Sequence, residues 1–387
     1  MNASLKYKSY AHIDLDALVH NYNALVACAK EKSPDARPIC VVKADAYGHG
    51  AAECVRALCR AGADFFAVSD VSEAVDVREV TVESKILVLG YSCPENAPAL
   101  IENGISQAVP SLEYARHLNS EAERYCKQNN KENIKISVHI KVDTGMSRLG
   151  FSLADGVSSA LDGIMQVSEL PYLRIDGVFS HFACADEMES EMTKRQLKRF
   201  NELKSALREN GICPAFHICN SAGSIRFGAA GQDYFRLGIS LYGHAPSSEV
   251  SLAGLLPVMR LYSTVAQVHT LRAGECVSYG ATFCAERDMT VATVAIGYAD
   301  GLLRAFKTGY LILGGRRAKI LGRICMDQCI IDASGIEVKE GDTVTVFDES
   351  GENTLSLAAC ADTISYEIVC LVTKRVARRY IENGKEL

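Results

Sequence analysis

Eight short apolar runs, at 39–42, 65–69, 85–89, 106–109, 135–142, 174–180, 215–219 and 234–238, dominate the first two thirds of the chain. Most of the intervals between them carry apolar residues at helical spacing. Asp14 is a natural N-cap for an opening helix with Leu15, Leu18, Val19, Tyr22, Leu25 and Val26 on one face. Ser111 would cap a second helix over 111–128, and a third over 188–209 carries Leu197, Phe200, Leu203 and Leu207. Eight strands alternating with helices predict a (β/α)8 TIM barrel, placed at residues 12–248.

After about Pro257 the pattern changes. Tyr262–Thr270, Thr290–Ile296, Tyr310–Leu313, Ala318–Ile320, Gln328–Asp332 and Thr343–Phe347 read as strands separated by glycine-rich turns, with one helix near Leu355–Thr363. Residues 249–387 are therefore expected to form a mostly β domain, with residues 1–11 adding a strand to it. The fold class is α/β, a barrel followed by this domain.

The formal charge of −6 and the absence of basic clusters give no reason to expect a nucleic-acid or membrane partner. No apolar run is long enough to cross a bilayer, and the opening has no apolar core of a secretion signal, so a cytoplasmic location is expected. The 15 cysteines include no Cys-x-x-Cys pair. Cys28, Cys40, Cys54, Cys59 and Cys219 lie in apolar stretches, and in a reducing compartment all the cysteines should be free thiols. No ligand spacing supports a metal site.

In barrels of this kind chemistry gathers at the carboxyl ends of the strands. Lys43 closes the apolar run Ile39-Cys-Val-Val-Lys43. A lysine there is either a solvated strand cap or a buried amine with a lowered pKa, the form that Schiff-base chemistry needs. Lys141, Asp143 and Arg148 follow strand five, His181 strand six, Asn220 and Ser221 strand seven, and Arg236, Gly238 and Tyr242 strand eight. Polar groups from five strands thus meet on one rim. Asn220-Ser221-Ala222-Gly223 and Arg236-Leu-Gly238 suit an anion, in the loops where such barrels hold phosphate. A lysine beside a phosphate cradle fits pyridoxal 5'-phosphate; a sugar-phosphate enzyme with a catalytic lysine remains open on the residues alone.

The motifs themselves go further. They include Val41-Val-Lys43-Ala-Asp-Ala-Tyr47-Gly-His-Gly50, Lys141-Val-Asp-Thr-Gly-Met-Ser-Arg148-Leu-Gly150, Ser180-His181-Phe-Ala183 and Asn220-Ser221-Ala222. They continue with Arg236-Leu-Gly-Ile-Ser-Leu-Tyr-Gly243, Val277-Ser-Tyr279-Gly280, Gly297-Tyr298-Ala-Asp-Gly301 and Gly322-Arg323-Ile-Cys-Met326-Asp327. In this order, over nearly the whole chain, they resemble the alanine racemases, pyridoxal-phosphate enzymes of fold type III. The resemblance implies that Lys43 binds the cofactor aldehyde and is one catalytic base, and that Tyr279 is the other, reaching into a partner's barrel in a homodimer. It implies that Arg148 contacts the cofactor's phenolic oxygen and the substrate carboxylate. Arg236 would face the pyridine nitrogen, and His181 would bond to Tyr279 or Arg236. Tyr47, Ser221, Gly238, Ile239 and Tyr366 would hold the phosphate beside Asn220. Met326 with Asp327, also from the partner, would help seat the carboxylate. Tyr298, Asp186, Arg304 and Arg323 match an entry corridor, and Lys141 matches a lysine that is carbamylated in some members.

The implied reaction interconverts L- and D-alanine by two bases on opposite faces, supplying D-alanine for peptidoglycan. A broader serine/alanine racemase and a basic amino-acid decarboxylase are the enzyme alternatives. A pyridoxal-phosphate carrier is the non-enzymatic one, and it would need no second domain and no Tyr279.

Overall fold

The computed structural model describes residues 6–131 and 133–387. Eight barrel strands run Arg37–Val41, Phe65–Val68, Lys85–Val88, Ser106–Val109, Ile136–Asp143, Leu173–Phe179, Ala215–His217 and Tyr234–Leu237. Every neighbouring pair is parallel, and Tyr234–Leu237 returns to Arg37–Val41, closing the ring. The expected barrel is the barrel observed. Its inner face alternates along each strand, so Ile39, Val41, Phe65, Ala67 and Leu87 pack together inside. The polar fourth strand fits because its polarity is matched across the ring. Ser106 Oγ donates to Ser137 Oγ (2.9 Å), which donates to Asp176 (2.6 Å), while buried Gln107 donates to the Gly90 carbonyl (2.9 Å).

The helices begin where their caps predict. Asp14 accepts from Ala17 N (2.9 Å) at the start of Leu15–Lys32, and Ser111 from Tyr114 N (3.1 Å) at the start of Leu112–Gln128. The third long helix is Glu191–Glu209, with Phe200, Leu203 and Leu207 buried.

The second domain is organised by one long strand, Met259–Leu271. Its first half pairs with Ser9–Asp14 and Thr343–Phe347, its second half with Met289–Val294. A register shift between Val265 and Gln267 marks the changeover. Tyr310–Leu313, Arg316–Leu321 and Cys329–Asp332 complete an antiparallel ring around it. Ser9–Asp14 is itself flanked by a parallel strand, Ala377–Glu382.

Two expectations need correction. One helix was expected after Pro257, but a second, Ser365–Cys370, follows Glu352–Cys360, and it places Tyr366. It is a turn and a half long, too short for a periodicity to show. The cysteines were expected to be free, yet Cys276 and Cys284 are disulfide-bonded. They oppose each other across the two-residue ladder Cys276–Val277/Phe283–Cys284, a register that sequence spacing does not reveal. Cys28, Cys40, Cys54, Cys59 and Cys219 are free. Among the described residues no helix is long and apolar enough to cross a membrane, and no cluster of three potential metal ligands occurs.

Candidate active site

Lys43 stands one residue beyond Val42 at the mouth of the first barrel strand. The chain then makes a left-handed turn, with φ of 53°, 53°, 55° and 54° at Ala44, Asp45, Ala46 and Tyr47. Such a turn costs about 1–2 kcal/mol for each residue with a Cβ, so the surrounding structure must impose it. Glu73 accepts from the N–H groups of Ala44 and Ser69, and Asp45 accepts from Ala51 N (2.7 Å). From the second domain, Arg378 donates to the Gly48 carbonyl through both Nε (3.1 Å) and an η nitrogen (2.9 Å). The turn aims Lys43 and Tyr47 into one cavity of about 550 Å³.

That cavity collects most of the predicted residues. Lys43, Tyr47, Arg148, His181, Asn220, Ser221, Arg236, Gly238, Ile239 and Tyr366 all line it, together with Lys141. Four cationic side chains and no carboxylate face it. Basic groups gathered with no carboxylate among them suit an anionic ligand. Burial and then Arg148 lower the pKa of Lys43, which favours the neutral amine. Lys141 is buried beneath, over the Phe179 ring at 5.3 Å, its pKa lowered to about 7 by burial and by Arg236. Burial pushes the phenols of Tyr47 and Tyr366 upward, keeping both protonated as hydrogen-bond donors rather than bases.

At one end Ser221 Oγ accepts from Gly238 N (2.9 Å), and a Cβ at residue 238 would lie 3.0 Å from the Tyr47 hydroxyl. Two hydroxyls and a bare backbone thus surround a small space, the cradle a phosphate needs. Asn220 uses its amide oxygen to cap the helix Ser221–Phe227 through Gly223 N (3.0 Å).

Arg236 is 2 % exposed and donates to four acceptors. They are His217 Nδ1 (2.7 Å), the Ser180 and Ile218 carbonyls (2.8 and 2.9 Å) and His181 Nδ1 (3.1 Å). A guanidinium has no acceptor, so Nδ1 of both histidines must be unprotonated. The proton of His217 therefore sits on Nε2 and is donated to His139 Nδ1 at 3.0 Å. Burial and Arg236 hold His181 and His217 well below the usual imidazole range, consistent with neutral rings. Burial lowers Arg236 to about 10, so it remains cationic at neutral pH. Asp143 arranges the loop before Arg148, accepting from Gly145 N (2.9 Å) and Ser147 N (3.0 Å).

Tyr279, Met326 and Asp327 are elsewhere. They line a separate concavity on the second domain, with Ser278, Cys325 and Gln328. Tyr279 is 69 % exposed and Met326 52 %, while Asp327 is ion-paired with Arg375 at 2.6 Å. Tyr298, 39 % exposed, lines neither hollow. Asp186 lies close enough to Tyr366 to raise its pKa. Sequence reasoning missed Ser69, Leu89, Gly90, Leu149 and Phe179 in the cavity wall, and Glu73 and Arg378 behind the turn. Phe179, the last residue of its strand, was readable by position; Arg378 carried no local signal.

The N-terminal domain model of alanine racemase matches residues 13–246 and the C-terminal domain model residues 258–380. Alanine racemase 1 of Clostridium acetobutylicum is 38 % identical over 97 % of this chain and 96 % of its own length. The alanine racemase of Methanococcus maripaludis is 38 % identical over 96 % of this chain and 98 % of its own. The solved alanine racemase of Clostridium difficile superposes with a TM-score of 0.91 at 34 % identity, covering 99 % of this chain and 98 % of that one. The Bacillus anthracis enzyme, solved with bound L-Ala-P, gives 0.89 at 31 %, covering 99 % and 97 %.

Proposed function

The chain belongs to the alanine racemase family, and on that footing we propose that it interconverts L- and D-alanine with pyridoxal 5'-phosphate. One observation carries this reading: a cavity at the barrel mouth with two lysine amines of lowered pKa, two arginines and no carboxylate. The cofactor is anionic at its phosphate and phenolic oxygen, and the residues present fit it. Tyr47, Ser221, Gly238, Ile239 and Tyr366 would hold the phosphate, with Asn220 fixing the Ser221 turn. When bound, the cofactor supplies an aldehyde for covalent capture of an amine and an electron-withdrawing ring that acidifies the substrate Cα–H bond.

The chain's own residues do the rest. Lys43, its pKa lowered by burial and by Arg148, exchanges a proton with the substrate Cα on one face. Among the described residues lining the cavity, Lys141 is buried beneath it with its amine donating to the Val142 carbonyl (3.0 Å). Tyr47 and Tyr366 are kept as phenols, and His181 has its Nδ1 engaged by Arg236. As the resemblance to the family implies, we assign the opposite face to Tyr279 of a second copy. In that homodimer Met326 and Asp327 also reach the partner's cavity, and Tyr298 lies along the approach with Asp186. Arg148 neutralises the substrate carboxylate. Arg236, donor-only and fixed by four acceptors, could not take up a proton from the ring nitrogen it would face. Residues 12–248 would be the cofactor-binding barrel, and 1–11 with 249–387 the domain serving the partner. A cytoplasmic role in supplying D-alanine for peptidoglycan fits the activity. Serine/alanine and carrier readings are not favoured, since the relatives named above are alanine racemases and match both domains.

The test is α-deuterium exchange from L- and D-alanine in heavy water with chiral analysis of products. Inversion with solvent deuterium at Cα is expected; no exchange from either isomer would overturn the assignment. Mixing inactive Lys43→Ala with inactive Tyr279→Phe should restore about a quarter of wild-type activity, because half the re-formed dimers hold one intact site. No recovery after subunit exchange would refute the shared site.

A further inference from the structure

We infer that Cys276 and Cys284 form a redox modification site that governs how firmly the Tyr279 loop is held. The inference rests on the assignment of Tyr279 as the second base. The loop Ser278–Thr282 projects from a ladder of only two residue pairs. A ribbon that short has little stability of its own. Three of its residues, Ser278, Gly280 and Ala281, have φ of 61°, 76° and 45°, a conformation that two of them adopt at a cost. Backbone bonds Gly274 N to Ala285 O (2.7 Å) and Ala285 N to Glu275 O (2.8 Å) secure the base of the ribbon. Val277 is its buried anchor, packed with Leu271, Ala285, Val291 and Leu321. Beyond these, Ser278 Oγ donates to the Arg323 carbonyl. The Cys276–Cys284 bond is the covalent tie across the ladder, three residues from Tyr279, and both cysteines are exposed on the single chain. Thirteen other cysteines are free, so the pairing is specific to this loop.

Exposed disulfides are the exchangeable ones. The Cys276 thiolate attacks an external disulfide of the glutathione class, releasing one thiol and forming a mixed disulfide. The Cys284 thiolate then displaces the second thiol. The protein loses two electrons and two protons, which the external disulfide takes up as two thiols. A dithiol reductant reverses both steps and is left as its own disulfide. Closed, the tie restricts the seven residues between the cysteines and keeps the phenol placed; open, the loop samples more conformations.

The holoenzyme should be equilibrated in glutathione buffers from oxidising to reducing, with the bond state read by intact mass after thiol alkylation. Reduction of this one bond is expected to lower kcat roughly tenfold, the scale of a small misplacement of a catalytic group. The visible absorbance of bound cofactor should not change, and chymotryptic cleavage after Tyr279 should quicken. The Cys276→Ser/Cys284→Ser double variant should show the activity of the reduced enzyme and ignore the buffer. Equal activity and equal cleavage in the two states, thiols that never pair at any potential, a gain in activity on reduction, or a double variant that still responds would each overturn the inference. Oxidised Tyr279→Phe separates the two readings. Loss of racemisation there, together with no redox response in the wild-type enzyme, sinks only the clasp, whereas wild-type racemisation by Tyr279→Phe sinks the two-base assignment itself.

Discussion

A methyl group at residue 238 would lie 3.0 Å from the Tyr47 hydroxyl and 3.4 Å from Ser221 Oγ, between the two donors assigned to the phosphate. Gly238→Ala should therefore leave the barrel folded and raise the dissociation constant for pyridoxal phosphate at least about tenfold, a loss near 1.4 kcal/mol. Absorbance titration of the apoenzyme measures this, and an unchanged constant would remove the phosphate from that end of the cavity. Gly177 has a different neighbour. A Cβ there would fall 2.1 Å from His139 Nδ1, the atom that accepts from His217. Gly177→Ala must displace His139 and break the chain of bonds that runs from Arg236 through His217. The expected loss of unfolding free energy is about 1–3 kcal/mol, read by urea denaturation at constant pH. Stability equal to wild type would show that the imidazole has room to move.

The turn after the first barrel strand shows what an element can demand of distant parts of the chain. Ala44, Asp45, Ala46 and Tyr47 are all left-handed, and Ala44 is exposed, so its Cβ contributes strain without packing. Ala44→Gly should stabilise the protein by up to about 1 kcal/mol; a lower melting temperature would contradict the strain account. Removing the support should act in the opposite sense. Arg378→Ala leaves the Gly48 carbonyl without either of its guanidinium donors and should cost about 1–3 kcal/mol, with slower capture of pyridoxal phosphate by Lys43. The sequence displays one side of this arrangement. The run Ile39-Cys-Val-Val-Lys43 announces a strand ending on an amine, and Gly48 and Gly50 announce a turn. Nothing local announces Arg378, because its partner lies 330 residues away. The same limit explains the other omissions. Caps such as Asp14 and Ser111 are legible because donor and acceptor are neighbours in sequence. The pairing of Cys276 with Cys284 and the brevity of Ser365–Cys370 depend on register and tertiary packing.

At the scale of the whole molecule, the barrel was legible because eight apolar runs alternate with segments of helical spacing, and the site because strand ends in a barrel converge wherever the chain places them. The histidines were less so. Four buried rings and the half-buried His181 have lowered pKa values: His49 to about 3, His139 and His244 to about 4, and His181 and His217 well below the imidazole range, with desolvation the largest cause for each. Between these values and about 6.5 the unfolded chain binds protons that the folded chain refuses. Stability therefore rises with pH in that window, is intact above it, and is lost as pH falls from about 6.5 toward 4. Lys141 adds a term of the same sign on the alkaline side. Its folded value of about 7 lies below that of an unfolded lysine, so deprotonation relieves a burial penalty as pH climbs above neutrality. Both effects push the stability maximum above pH 7. Urea denaturation at fixed protein concentration should show unfolding free energy falling between pH 6.5 and 5 by more than the ~1.4 kcal/mol per pH unit that one histidine supplies. A flat profile over that interval would mean that the buried imidazoles are protonated in the folded protein. The tautomer chain from Arg236 to His139 would then be lost, since a doubly protonated ring cannot accept from a guanidinium.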